Sequence, residues 1–147
     1  MTVMTTQSSS RRPFTGAIAQ LKEAGLRPTR QRIALAKLLF EGENRHVTAE
    51  ELHDEARAAG VSVSLATVYN ALHQFTDAGM MREVVVEAGR SYFDTNTGDH
   101  HHFFHEDTGM LDDIPSDEIS LAALPKAPDG TSVRRVDVIV RVSSAGN

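Results

Sequence analysis

Residues 64–79, SLATVYNALHQFTDAG, decide how the chain is read. Leu65, Val68, Leu72 and Phe75 recur at spacings of three and four, the period of a helix that buries one face. Ser64 stands where a helix opens and Gly79 where one stops. The opposite face is polar, with Thr67, Tyr69, Asn70 and His73. A helix fits the DNA major groove, where Asn pairs bidentately with adenine and an aromatic group contacts a thymine methyl. Tyr69 and Asn70 suit those roles, and Ser64 and Thr67 stand beside them at the start of the helix.

Upstream, three more helices are expected. Phe14, Ala17, Ile18 and Leu21 set a helical spacing from Phe14 to Ala24, with Gly25 as its stop. Thr29 is the N-cap of a second helix running to Phe40. Thr48 with Glu51 three residues later makes a capping-box pattern for a third, ending near Ala59 before Gly60. Downstream of Gly79 the period changes. Met81 to Val86 and Arg90 to Phe93 read as strands joined by Glu87-Ala88-Gly89, a hairpin. Helices followed by a two-stranded wing predict a winged helix-turn-helix over residues 13–94, with residues 1–12 a flexible tail ending in Arg11 and Arg12. Thr29, Arg30 and Arg32, at the start of helix two, are expected to hold phosphates, which positions a protein on DNA without reading sequence.

Residues 95–147 read as a small α/β domain. His100 to His105 and Met110 to Ile114 are strand candidates around an Asp107-Thr108-Gly109 turn, and a short helix is expected around Asp117 to Leu124. Val136, Val138, Val140 and Val142 alternate with Arg135, Asp137, Ile139 and Arg141, Ile139 being the exception, in a third strand, Val133 to Val142. So thin a core favours burying a face against a second copy. The fold class expected is α+β: an N-terminal winged helix-turn-helix domain, then a small α/β dimerisation domain.

The chain has 147 residues, 40% hydrophobic and 24% charged, which excludes a large multidomain enzyme and a wholly disordered chain. No apolar run approaches the ~20 residues of a membrane span, and the polar start lacks a signal-peptide core, so a cytoplasmic protein with no membrane partner is expected. There is no cysteine. Thiolate metal sites and disulfides are therefore excluded, and any metal must sit on His, Asp or Glu. The net charge of −5 hides an asymmetry, for residues 1–49 carry eight Lys/Arg against three Asp/Glu, and residues 86–147 carry five against eleven. A basic amino-terminal segment can meet phosphate while the acidic remainder can hold cations.

Four of the seven histidines lie within His100 to His105. On an extended strand His100 and His102 point to one face, His101 and His105 to the other, so the four cannot converge on one ion. Two sites, or one site with spare ligands, are expected. Imidazole with carboxylate suits zinc, manganese or iron, and ferric haem also takes imidazole as an axial ligand. His100, His101, His102 and His105 are thus the candidate haem ligands.

Four ordered segments carry a family resemblance: Leu26-Arg27-Pro28-Thr29-Arg30-Gln31-Arg32, His46-Val47-Thr48-Ala49-Glu50-Glu51-Leu52, Leu65-Ala66-Thr67-Val68-Tyr69 and the histidine cluster. In order and spacing they resemble the ferric uptake regulator (Fur) superfamily over roughly residues 15 to 142. Within it, Asn70, the HHHFF run and Arg134-Arg135-Val136-Asp137-Val138-Ile139-Val140 are most similar to the iron response regulators (Irr) of α-proteobacteria. The resemblance implies a homodimeric transcription regulator of iron and haem homeostasis, not an enzyme, binding double-stranded operator DNA. It implies a regulatory divalent-metal site, with iron, manganese or zinc, at His46, Asp94, His100, His102 and Asp113. Asp94 and Asp113 stand where many members carry the longer Glu.

Departures from the family pattern are equally informative. His105-Glu106-Asp107-Thr108 replaces the first Cys-x-x-Cys pair of many members, so no structural zinc on cysteines is expected. A second histidine-rich family site keeps His101 but has Val136 or Asp137 where histidine is usual. For Irr the resemblance implies inactivation by haem, which here falls to the His100 to His102 region. A metal-activated Fur-type repressor is the alternative, and a small His/carboxylate metalloenzyme or a ligand carrier stands behind it.

Overall fold

The computed structural model describes residues 16–144, and the chain divides into two compact units, Met1–Thr97 and Gly98–Asn147. The expected tail with Arg11 and Arg12, and Phe14 of the first helix, lie outside the described residues. No described helix is long and apolar enough to cross a membrane.

The first unit is built on four helices, α1 (Gly16–Glu23), α2 (Arg30–Phe40), α3 (Ala49–Ala58) and α4 (Leu65–Asp77). Their starts follow from hydroxyl caps. Thr29 Oγ1 accepts from Arg32 N, Ser64 Oγ accepts from Thr67 N, and Thr48 with Glu51 forms the reciprocal capping box. Their ends follow from glycine. At Gly79, φ is +83°, Gly79 N donates to the Thr76 carbonyl and Met80 N to that of Phe75, which satisfies the last turn of α4 in a Schellman motif. Gly60 closes α3 with the same pair of bonds. Leu21, Leu35, Leu39, Leu52, Val68, Leu72 and Phe75 are fully buried together, so the apolar stripe of each helix meets the others in one core.

A three-stranded wing follows, β2 (Arg82–Glu87) and β3 (Arg90–Asp94) forming the hairpin and β1 (His46–Val47) pairing with β3, in the order β1-β3-β2. All pairs are antiparallel, and a bulge interrupts the hairpin between Val85 and Glu87. The short strand β1, just ahead of the Thr48 cap of α3, is not among the elements expected from the sequence. Two residues carry no alternation to detect, and the pairing is extended by Thr95 N donating to the Arg45 carbonyl and Arg45 N donating to Thr95 Oγ1, both at 2.9 Å.

The second unit holds β4 (His100–His105), β5 (Leu111–Pro115) and β6 (Ile139–Val142), in the order β5-β4-β6. β4 pairs antiparallel with β5 and parallel with β6. The helix expected around Asp117 to Leu124 is absent: a single 3-10 turn, Ser116–Glu118, ends at an extended Ile119. An eight-residue helix is unstable without a packed face, and Leu121 and Leu124 stand about half exposed. The third strand is shorter than its valine pattern suggests. In the parallel register His102 pairs with Ile139, so residues 133–136 lie beyond the start of β4 and have no strand to join.

Candidate functional site

On α4 the buried face is Val68, Ala71, Leu72 and Phe75, which leaves Tyr69 and Asn70 exposed. At the cap Ser64 Oγ accepts from Thr67 N and donates to Thr67 Oγ1 at 2.9 Å, so the Thr67 hydroxyl accepts there and keeps its own proton to donate. A groove of about 500 Å³ joins this helix to the start of α2, lined by Arg27, Thr29, Arg32, Thr67, Asn70 and Gln74 among others. Four expected DNA contacts, Thr29, Arg32, Thr67 and Asn70, therefore share one concavity, while Arg30 is exposed in the first turn of α2. Arg32 does more than offer charge. Its Nε and Nη2 donate to Gln74 Oε1 at 3.2 and 2.9 Å, and its Nη1 donates to the Arg27 carbonyl at 2.9 Å. Arg27 and Gln74 are groove residues that sequence reasoning missed. The Arg32 bond to Gln74 spans 42 residues, beyond any local pattern.

Tyr69 is also held. Its hydroxyl donates to Glu50 Oε2 on α3 at 3.0 Å, and its ring lies 6.3 Å from that of His73, which in turn meets Phe93 edge-on at 5.7 Å. The bond to Glu50 holds the Tyr69 hydroxyl above the usual tyrosine pKa, with slight burial and the carboxylate charge adding to it.

Of the five residues expected to ligate metal, His46 and Asp94 belong to the first unit and His100, His102 and Asp113 to the second. In the first unit His46 and Asp94 stand opposite each other on β1 and β3, and Asp94 is buried, its Oδ1 accepting from Asn96 N at 2.9 Å. The buried Arg82 stands opposite Asp94 on the other side, from β2. Arg45, next to His46, is fixed by Glu55 Oε1 at 2.9 Å and the Leu38 carbonyl at 3.3 Å. The Glu55 hydrogen bonds raise its pKa above the ordinary arginine value despite partial burial.

In the second unit His100 and His102 are 6% and 2% exposed, and both Nε2 atoms lie 3.5 Å from Asp113 Oδ1 on β5. The strand alternation places them on one face with Phe104, while His101, Phe103 and His105 take the other. His100 Nδ1 sits 2.7 Å from the Gly98 carbonyl. A carbonyl only accepts, so Nδ1 carries a proton and Nε2 is the ring atom turned towards Asp113. With Nε2 unprotonated, its lone pair and the carboxylate oxygen are two acceptors that a shared metal ion can bridge. Ligand atoms ~2.1 Å from a tetrahedral ion stand ~3.4 Å apart, which these separations match. The three ligand atoms all lie within 4.8 Å of one another.

The remaining histidines are differently committed. His105 Nε2 lies 2.7 Å from Asp112 Oδ2, and His101 Nδ1 accepts from Val138 N at 3.1 Å. The four histidines of the run are thus divided between two faces, with His100 and His102 alone converging on Asp113.

Comparison with known proteins gives one consistent result. The model of the family described as "Ferric uptake regulator family" matches residues 23–139. The ferric uptake regulation protein of Klebsiella pneumoniae is 38% identical over 102 residues, 69% of this chain and 66% of that protein, just under two thirds of its length. The solved ferric uptake regulator of Pseudomonas aeruginosa with manganese superposes with a TM-score of 0.68 at 26% identity, covering 88% of this chain and 98% of that one. The Vibrio cholerae ferric uptake regulator, whose structure is described as showing rearrangement of its DNA-binding domains, gives 0.67 at 26% identity, over 86% and 98%.

Proposed function

The chain belongs to the ferric uptake regulator family, whose members are transcription regulators and not enzymes, and on that premise we propose that it is a dimeric regulator whose affinity for operator DNA is set by a divalent metal. The observation that supports this best is the convergence of His100 Nε2 and His102 Nε2 on Asp113 Oδ1 in a chain whose α4 exposes Tyr69 and Asn70. When bound, the metal would supply a cation shared by these three side chains. Two imidazoles and a carboxylate suit iron, manganese or zinc alike. Asp94 and His46 are the further ligands that the family resemblance implies.

On the DNA side, Tyr69 and Asn70 read bases, and Thr29, Arg30, Arg32, Ser64 and Thr67 position the backbone. A dimer presents two copies of α4 to major grooves about 34 Å apart or a multiple of that. Metal alters DNA binding only if the states that bind DNA well and poorly differ in metal affinity.

Haem control, as in the iron response regulators, is the finer reading, and it makes a different demand on the same strand. His100 and His102 are buried, and His101 accepts from Val138, which leaves the proton of its neutral ring on Nε2. An iron–porphyrin ligand on this strand must therefore break the Val138 bond or use His105 in place of its Asp112 contact.

The test is fluorescence anisotropy of a duplex selected from a random library, titrated with protein in manganese, in chelator and in ferric haem. Tight binding that chelator abolishes supports metal control. Binding indifferent to metal and released by haem replaces it with the haem reading, and no duplex bound above background overturns both.

A further inference from the structure

Tyr69 carries a hydroxyl with one proton to donate and two lone pairs, so a free tyrosine can meet either a donor or an acceptor on a base edge. In this protein the proton is committed, because Tyr69 Oη donates to Glu50 Oε2 at 3.0 Å. Glu50 lies exposed in the first turn of α3, where the helix dipole favours a carboxylate. The ring is restrained as well, since His73, one turn along α4, lies against it and is itself packed on Phe93. What the pair presents is a set of lone pairs with no proton to give. A negative charge beside a DNA-reading face also costs affinity for the phosphate backbone.

We propose that Glu50 is a specificity-determining residue that turns Tyr69 into an acceptor-only reader. In place of the thymine-methyl contact expected of the Tyr69 ring, the pair then selects a base that offers an exocyclic amino group in the major groove, adenine or cytosine, over one that offers a carbonyl oxygen, guanine or thymine. Adenine presents N6–H₂ and cytosine N4–H₂ there, whereas guanine O6 and thymine O4 meet the Tyr69 lone pairs and the Glu50 carboxylate as like against like. The inference rests on the reading of α4 as the helix that enters the groove and adds which base edge it reads. The raised pKa of the Tyr69 hydroxyl agrees with a proton held by Glu50.

The experiment measures metal-loaded full-length protein against duplexes in which each position of a selected half-site is changed in turn to all four base pairs. Wild type, Glu50→Ala, Tyr69→Phe and Asn70→Ala are compared. The expected result is one position at which wild type prefers adenine or cytosine by about tenfold, the usual scale for one mismatched pair. Glu50→Ala frees the hydroxyl to donate, so the preference there collapses towards parity while overall affinity rises. Tyr69→Phe flattens the same position without that rise. A Glu50→Ala protein with an unchanged preference at every position overturns the proposal, as does a wild type with no such position while Asn70→Ala still loses discrimination. In both cases the recognition-helix reading survives. If all four proteins bind every duplex equally, that reading falls and this one with it.

Discussion

Arg32 on α2 grips the amide oxygen of Gln74 on α4 through two N–H groups, at 3.2 and 2.9 Å, and so ties the start of one helix to the exposed face of the other. The bond crosses the groove that holds the expected DNA contacts. Gln74→Ala should weaken DNA binding by about three- to tenfold through loss of positioning. The stability cost should stay below about 1 kcal/mol, because the bond is exposed. Anisotropy and urea denaturation of the same variant separate the two effects.

Phe75 carries the packing of α4. It is fully buried and meets Phe40 edge-on with ring centroids 5.9 Å apart. Phe75→Ala should cost about 3–5 kcal/mol, the usual penalty for emptying an aromatic site in a core. Urea unfolding should show an earlier midpoint with an unchanged slope.

Tyr69 should ionise above the ordinary tyrosine value of about 10. Because the folded-state pKa is raised, the stabilisation is fully present below the unfolded value and is lost as pH rises through the folded one. Tyrosinate absorbance should show this late titration in wild type, and Glu50→Ala should bring it down to the ordinary range. A late titration that survives Glu50→Ala would mean that another group holds the proton.

Asp113 and Asp112 are neighbours with opposite assignments, since Asp113 meets His100 and His102 whereas Asp112 meets His105. Asp113→Asn should weaken manganese binding at least about tenfold in calorimetry, because a neutral amide replaces a charged ligand. Asp112→Asn should leave it unchanged. Equal losses would move the ion away from the His100–His102 face.

Much of the fold was legible because its signals are local. Thr29, Thr48 and Ser64 cap the helices they were expected to cap, and the alternation of the histidine run correctly separates His100 and His102 from His101 and His105. What sequence reading missed is set by distance or by partners. The strand at His46 is two residues long and exists through its pairing with Phe93 and Asp94. The absent helix near Leu121 has apolar spacing but no surface to cover it among the described residues. Glu50 beside Tyr69 and Gln74 beside Arg32 are tertiary contacts, 19 and 42 residues apart, which no periodicity encodes. Convergence on Asp113 likewise depends on the β4–β5 register, which pairs His102 with it.

Control of DNA binding by metal at His100, His102 and Asp113 would show itself in DNA affinity measured across a series of free manganese concentrations. The dissociation constant should fall as manganese rises and then level off. DNA should tighten manganese binding by the same factor, and His100→Ala with His102→Ala should abolish both effects. A dissociation constant that does not change with manganese in the wild-type protein would contradict such control.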